Sequence, residues 1–203
     1  VLEQAKESLQ SLLADKTATD VSTMLLNVKF QLISNDLSGV EESIRTFAKA
    51  GEADALLYVA GELDSSKHHA TAADAFRNLY GMILNGIGTD NMMKQETFIF
   101  CSYLRHVKMA KMGDFDSTTF SESAELFSEF MKRASTINLL TDVRQTRYLA
   151  DFSWNTGLDA YEKSETEAAY QFMFFSALVI SKLNKISEGL DTDESANYGY
   201  RQA

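Results

Sequence analysis

Apolar residues recur every three or four positions along most of the chain, and short polar clusters interrupt the pattern. This spacing places apolar side chains on one face of a helix, so it predicts amphipathic helices joined by brief turns. We predict about nine helices in consecutive antiparallel pairs. The sequence contains no proline, which favours helices joined by short Gly, Ser and Asp turns. The chain is therefore predicted to be all-α.

Turn and capping signals set the predicted boundaries. Thr19 or Asp20 is expected to cap one helix, Ser117 or Thr118 another, and Thr141 or Asp142 a third. The clearest loop, Asn85–Asp90, is a candidate boundary between two lobes. The predicted helices elsewhere are Leu2–Leu13, Ser38–Ala50, Ala53–Leu63, His69–Leu84, Asn91–Met112, a helix ending near Ala134, and Ser195–Gln202 after a loop at Gly189–Asp193. The apolar stripes predict one apolar face at Val21, Met24, Leu25, Val28 and Leu32. They also predict these core residues: Val40, Ile44, Phe47, Ala48, Ala53, Leu56, Leu57, Ala60, Ala72, Ala75, Phe76, Leu79, Ile83, Phe120, Ala124, Phe127 and Met131.

The stretch Tyr148–Leu183 has the strongest double pattern in the chain. Its first half places Trp154, Leu158 and Tyr161 on one helix face, and its second half repeats the spacing at Tyr170, Phe174 and Ala177. The polar linker Lys163–Glu167 lies between the halves, so the stretch is predicted to form a helical hairpin. Such a hairpin cannot bury both of its apolar faces alone. It therefore indicates a protein built from stacked repeats.

This stretch resembles the tetratricopeptide (TPR) repeat, a helix–turn–helix of roughly 34 residues. Trp154, Tyr161, Phe174 and Ala177 take the Trp, Tyr, Phe and second Ala positions, and Gly157 belongs to a Leu-Gly pair in reversed order. The resemblance implies a TPR-like α-solenoid of antiparallel helical hairpins. We expect residues 1–203 to form a single helical-repeat segment of a longer protein.

Four residues of this hairpin are candidates for partner binding or for the core of the repeat: Trp154, Asn155, Gly157 and Tyr161. Aromatic stripes at helical spacing are usually core, and on that interpretation a Trp154→Ala substitution costs about 3–5 kcal/mol. An Asn side chain can bond both the N–H and the C=O of a bound peptide. The alternative is that Asn155 bonds within the hairpin.

The net charge of the chain limits the classes of partner that we predict. The net charge is −10 and the pI about 4.8, whereas a domain that grips a phosphate backbone usually carries a basic patch. The densest basic cluster runs from Arg105 to Lys111, and we interpret it as a solvated helix face. We therefore predict no direct binding of nucleic acid. The longest nearly apolar run, Phe172–Ile180, is too short to span a bilayer, so no membrane partner is predicted.

Motifs that carry chemistry are not found. The glycines at 86 and 88 lack the Gly-Lys-Ser/Thr of a phosphate-binding loop. His68 and His69 are adjacent, and His106 follows Cys101 by five positions, so neither pair has the spacing of metal ligands on a helix. Cys101, the only cysteine, is predicted to be a buried, inert thiol in a reducing compartment. We predict no enzymatic activity, no cofactor and no metal.

Two segments resemble a family of meiotic, TPR-like scaffolds that includes the sporulation and zipper proteins promoting crossovers and the testis-expressed crossover protein. They are Met24–Ala50, a helix with a central lysine followed by a turn and a helix, and the Trp154-Asn155-Thr156-Gly157 helix with its paired apolar helix. The resemblance implies a non-catalytic scaffold on meiotic chromosomes in the nucleus, which binds proteins or peptide segments within a larger complex. The alternative is a helical-repeat structural subunit of an axonemal or cytosolic assembly, in the cytoplasm or the cytoskeleton.

Overall fold

The computed structural model describes residues 20–188 of the chain. Within that range 82% of the residues are helical and none is in a strand, so the prediction of an all-α chain is confirmed. Adjacent helices pack in pairs. The predicted helices Leu2–Leu13 and Ser195–Gln202 and the predicted loop Gly189–Asp193 lie outside the described residues. No helix between residues 20 and 188 is both long and apolar enough to cross a membrane.

The chain divides into two compact units between Met112 and Gly113. The boundary is therefore not at the loop Asn85–Asp90, which lies inside the first unit. The helices of unit 1 are α1 Val21–Ile33, α2 Leu37–Ala50, α3 Ala53–Ser65, α4 His69–Leu84, α5 Asp90–Lys94 and α6 Glu96–Ala110. The helices of unit 2 are α7 Ser117–Thr136, α8 Val143–Glu162 and α9 Thr166–Glu188.

Aspartates begin four of these helices. The carboxylate of each one accepts a hydrogen bond from the backbone N–H three residues later, which satisfies a donor that the first helical turn leaves open. The four aspartates are Asp20, Asp36, Asp116 and Asp142. The caps predicted at residues 19–20 and 141–142 are confirmed. The cap predicted at Ser117 or Thr118 is wrong because Asp116, one residue earlier, supplies the acceptor, at 2.8 Å from the backbone nitrogen of Thr119.

The core of unit 1 lies mainly between α3, α4 and α6. Tyr80 and Phe100 are fully buried with ring centroids 5.1 Å apart. Gly51 ends α2 in the left-handed conformation, with φ of 77°, which a glycine adopts at little steric cost. The core predicted for α2, α3 and α4 is confirmed except for two residues that are only half-buried, Ala48 and Leu57. On the predicted apolar face of α1 only Val28 is buried, and the other four residues are half-buried.

The predicted helix Asn91–Met112 is two helices. The backbone N–H of Gln95 donates to the carbonyl of Met92, three residues back, at 3.0 Å. This tighter turn separates α5 from α6. Cys101, on α6, is half-buried rather than buried.

The core of unit 2 is aromatic. The ring of Phe127 on α7 stacks on Phe175 at 5.0 Å and meets Phe172 edge-on at 6.2 Å, which joins α7 to α9. Phe152 on α8 contacts Phe172 at 6.4 Å. Helices α8 and α9 form the predicted hairpin, although its turn is shorter than predicted and occupies residues 163–165. Met131, predicted to be core, is half-buried.

Candidate interaction surface

Gly157 sets how α8 and α9 pack against each other. A Cβ at this position would lie 3.2 Å from the backbone nitrogen of Met173 and 3.4 Å from the carbonyl oxygen of Ala169. The two helix backbones therefore approach closely here, and Gly157 lies level with the turn of α9 between residues 169 and 173. Gly157 is buried, so of the four candidate residues it is the one that belongs to the packed interior.

This register places apolar residues of the two helices opposite each other. Because α8 and α9 run antiparallel with the same rise per residue, a step toward the start of α8 matches a step toward the end of α9. Trp154 therefore lies level with Phe174, and Leu158 lies level with Tyr170. The two rows of apolar side chains run side by side along the hairpin.

The two rows lie on the side of the hairpin that faces away from α7. Phe172 and Phe175 of α9 contact α7 through Phe127. A residue two positions from Phe172 points roughly 200° away around the helix, so Tyr170 and Phe174 face outward. Their rings are parallel, with centroids 6.4 Å apart.

The outward side chains are large and accessible to solvent. We call this surface the outer face, and its apolar members are Trp154 (50% exposed), Leu158 (39%), Tyr161 (69%), Tyr170 (72%), Phe174 (50%) and Leu178 (39%). With roughly 150–250 Å² for a whole aromatic side chain, their exposed parts amount to on the order of 600 Å². A contiguous apolar patch of this size is at the upper end of what monomeric proteins carry and commonly marks an interaction site.

Trp154 and Tyr161 do not belong to the core of the described residues, because they are 50% and 69% exposed. The helical spacing of Trp154, Leu158 and Tyr161 is real, but α8 carries a second set of inward residues on another side. That inward set comprises Leu149, Ala150, Phe152, Ser153, Thr156, Gly157 and Ala160. The stability cost expected for Trp154→Ala falls from about 3–5 kcal/mol to about 1 kcal/mol, because half of the side chain is already in water. Asn155 is also exposed, next to Trp154.

The tip of the hairpin is held to the segment that precedes α7. The ammonium group of Lys163 lies 2.7 Å from a carboxylate oxygen of Asp114, 3.0 Å from the carbonyl oxygen of Phe115 and 3.3 Å from a carboxylate oxygen of Asp159. The hydrogen bond to Asp114 is the main reason that the pKa of Lys163 is raised above its usual value. These bonds fix the turn beside Tyr161.

Unit 1 brings together three polar residues that are distant in sequence. The Nδ1 atoms of His69 on α4 and His106 on α6 lie 3.1 Å apart, and Nε2 of His106 lies 3.2 Å from a carboxylate oxygen of Asp64 on α3. Since the Asp64 carboxylate accepts, Nε2 of His106 carries the proton, and Nδ1 of His106 then accepts from Nδ1–H of His69. The ring of Phe76 stacks on His106 at 5.5 Å.

The basic cluster between Arg105 and Lys111 is therefore not simply a solvated face. His106 is 1% exposed, and Arg105 lies 2.8 Å from a carboxylate oxygen of Asp64. Burial lowers the pKa of His106 below its ordinary 6.5, and Arg105 and His69 act in the same direction, whereas Asp64 opposes them. No local sequence pattern indicates this cluster, because its members meet only after three helices have packed. Among residues 20–188, no three side chains are arranged as ligands for a metal ion.

A cleft of about 480 Å³ lies beside α1 and α3 in unit 1, lined by Lys29, Leu32, Ile33, Glu62, Ser65 and Ser66. The hydroxyls of Ser65 and Ser66 donate to the carbonyls of Gly61 and Glu62 on their own helix. Both serine protons are thus used locally instead of converging on the cleft. The outer face of unit 2 is the stronger candidate for function.

Comparison of the chain with protein-family models, with curated proteins and with solved structures finds no match.

Proposed function

We propose that this chain is a non-catalytic protein–protein interaction scaffold, and that the outer face of the α8–α9 hairpin is a binding surface. The observation that carries the proposal is the set of four exposed aromatic side chains on two adjacent helices. Exposure of so much apolar surface to water is unfavourable, and binding of a protein removes that cost. Trp and Tyr are also enriched at the centres of protein interfaces.

We further propose that the helix pairs belong to a TPR-like α-solenoid. Support comes from the packing of most consecutive helices, namely α1 with α2, α2 with α3, α3 with α4, α5 with α6 and α8 with α9, and from turns of only a few residues. In such a solenoid each hairpin packs against its neighbours and presents a free surface to other proteins. Trp154 and Asn155 would lie on that surface rather than inside the repeat.

The resemblance of Met24–Ala50 and of the Trp154–Gly157 segment to meiotic crossover scaffolds leads us to propose a role among recombination and synapsis factors. A scaffold of this kind assembles its partners on chromosomes and needs no catalytic centre of its own. An acidic chain with a net charge of −10 would reach DNA through those partners, because it lacks the basic composition of a protein that grips phosphates alone.

Affinity capture of the full-length protein from meiotic cells, followed by mass spectrometry, tests this proposal. We expect chromosome-axis or recombination factors with the wild-type protein and their loss with Trp154→Asp/Phe174→Asp. Leu26→Asp/Met109→Asp is the matched control, because Leu26 and Met109 are each 52% exposed in unit 1, and it should retain them.

Two results would count against the proposal. Capture of axonemal proteins without any meiotic factor would favour the structural-subunit alternative. Partners that are unaffected by Trp154→Asp/Phe174→Asp would show that the outer face is not the binding surface.

A further inference from the structure

We infer that the outer face binds the outer face of a second copy of this chain, around a two-fold axis. This inference rests on the proposed interaction function and names the partner. It comes from the distribution of charge at the two ends of the hairpin, which makes the outer face complementary to itself.

The two ends of the outer face carry opposite charge. Glu162 on α8 and Glu167 on α9 flank the turn, whereas Arg144 and Lys185 lie at the opposite ends of the same helices; all four side chains are exposed. The outer face is therefore acidic at the tip, largely apolar in the middle apart from the exposed carboxylate of Asp151, and basic at the far end.

The spacing of these charges is the same on both helices. Arg144 precedes Glu162 by 18 residues, and Glu167 precedes Lys185 by 18 residues. Eighteen residues are five helical turns, so each pair lies on one helix side with its members roughly 27 Å apart.

The charged pairs also share the side of the apolar rows. On α8, Glu162 lies one turn from the outward residue Leu158. On α9, Glu167 lies about two turns before the outward residue Phe174, and Lys185 about three turns after it. The charges therefore border the apolar surface at its two ends rather than lying behind it.

A two-fold axis through the middle of the hairpin, perpendicular to its helices, brings opposite charges together at both ends. In a two-fold interface the same patch is used by both copies, so residue i meets residue j and residue j meets residue i. Glu162 and Glu167 of one copy would meet the basic end of the second copy, and the reverse contact would form at the other end. Trp154 and Phe174, which lie near the middle, would pack against their own counterparts.

The area of the outer face fits such an interface. Stable protein interfaces bury about 800 Å² per partner. The exposed apolar surface of the outer face supplies on the order of 600 Å², and the charged ends form the polar rim that interfaces usually have. Pairing in the parallel orientation would place acidic ends together, which is unfavourable. The charges thus select the antiparallel two-fold arrangement over the parallel one.

Charge-exchange variants of the full chain test this inference by sedimentation velocity at low and physiological salt. One variant is Glu162→Lys/Glu167→Lys, and the other is Arg144→Glu/Lys185→Glu. We expect a concentration-dependent dimer for the wild type and a dissociation constant raised by about tenfold or more in either variant alone. An equimolar mixture of the two variants should recover the dimer, because each then offers the charge that the other lacks.

The matched control is Glu42→Lys/Glu125→Lys, which exchanges two exposed carboxylates on α2 and α7. It alters the net charge as much as Glu162→Lys/Glu167→Lys does, and it should dimerise like the wild type. Circular dichroism on every variant verifies that the exposed substitutions leave the helices intact.

A wild-type chain that stays monomeric at high concentration overturns the inference, and so does a dimer whose affinity the charge exchange leaves unchanged. A monomer in which Trp154→Asp/Phe174→Asp loses as much thermal stability as the core substitution Phe127→Ala also overturns it, because another part of the same chain would then cover the face. The broader proposal is judged separately: if the wild type is monomeric but the Trp154→Asp/Phe174→Asp protein loses its captured partners, self-pairing fails and the interaction function stands.

Discussion

The two units of the chain differ in which side chains they place in an unfavourable environment, namely polar groups in the interior or clustered apolar groups in water. Unit 1 encloses polar chemistry: the imidazole of His106 and the carboxyl of Glu96 are each 1% exposed. Among the described residues of unit 2, the buried polar side chains are hydroxyl-bearing Ser and Thr. Each unit exposes seven large apolar residues within residues 20–188, but those of unit 1 are spread over several helices and loops, whereas six of the seven in unit 2 lie on the single hairpin α8–α9. Buried polar groups constrain how a unit folds, whereas clustered exposed apolar groups leave a surface available to a partner.

The largest expected effect separates the inside of unit 2 from its outer face. Phe127→Ala should lower the free energy of unfolding by about 3–5 kcal/mol, because Phe127 is fully buried between Phe172 and Phe175. Trp154→Ala should cost about 1 kcal/mol, although it removes a larger side chain. Urea denaturation of both variants measures the difference. Equal losses would contradict the distinction between core and outer face.

A smaller effect concerns the close approach of α8 and α9. Gly157→Leu should cost about 1–3 kcal/mol by overpacking, because a Cβ there already meets the backbone of Met173 at 3.2 Å. The control is Gly61→Leu on α3, where a Cβ would meet nothing within 4 Å. Since leucine forms helix better than glycine, the control should be neutral or stabilising by up to about 1 kcal/mol. Thermal melts of the pair compare the two glycines; a neutral Gly157→Leu would show that the hairpin can open without cost.

The smallest expected effect is a gradual loss of stability of unit 1 as the pH falls. Burial holds the pKa of His106 below 6.5 in the folded chain, so the unfolded chain binds more protons on acidification. The stability that neutral His106 contributes is complete above pH 6.5 and is lost as the pH falls from 6.5 through the lower folded pKa. Hydrogen exchange can be measured at pH 7.5 and pH 5.5 and corrected for the intrinsic rates. The amides of α4 and α6 should then be less protected at pH 5.5 than at pH 7.5.

The control for this dependence is His106→Gln. Its glutamine cannot take up the proton, so the change in amide protection between the two pH values should disappear. The amides of α8 and α9 provide an internal reference within the same protein. Equal acid sensitivity in both units, or sensitivity that survives in His106→Gln, would show that His106 is not its source.

The sequence predicted the helices better than it predicted their orientation. Periodicity and a polar turn located α4 at both ends, and the Asp142 cap was among the predicted positions, because these signals depend on neighbours within one or two turns. Periodicity cannot say which of two apolar stripes faces inward. On α8 both stripes are well formed, and the one that contains the only tryptophan proved to be outside.

The candidate site was predicted only in part. Trp154, Asn155 and Tyr161 were singled out as residues that a partner could contact, and that role stays a prediction. The pairing of Trp154 with Phe174, and of Leu158 with Tyr170, depends on the close approach at Gly157, which no local pattern encodes. The meeting of His69 with His106 likewise depends on how α4 and α6 pack, since 37 residues separate them.

The position of Trp154 has a practical consequence. It is the chain's single tryptophan, so indole emission from this protein comes from one known place. A ring that is half in water should shift its emission toward the blue when a neighbour excludes the solvent. Burial of Trp154 by a partner can therefore be followed by fluorescence, in the native sequence and without an added dye.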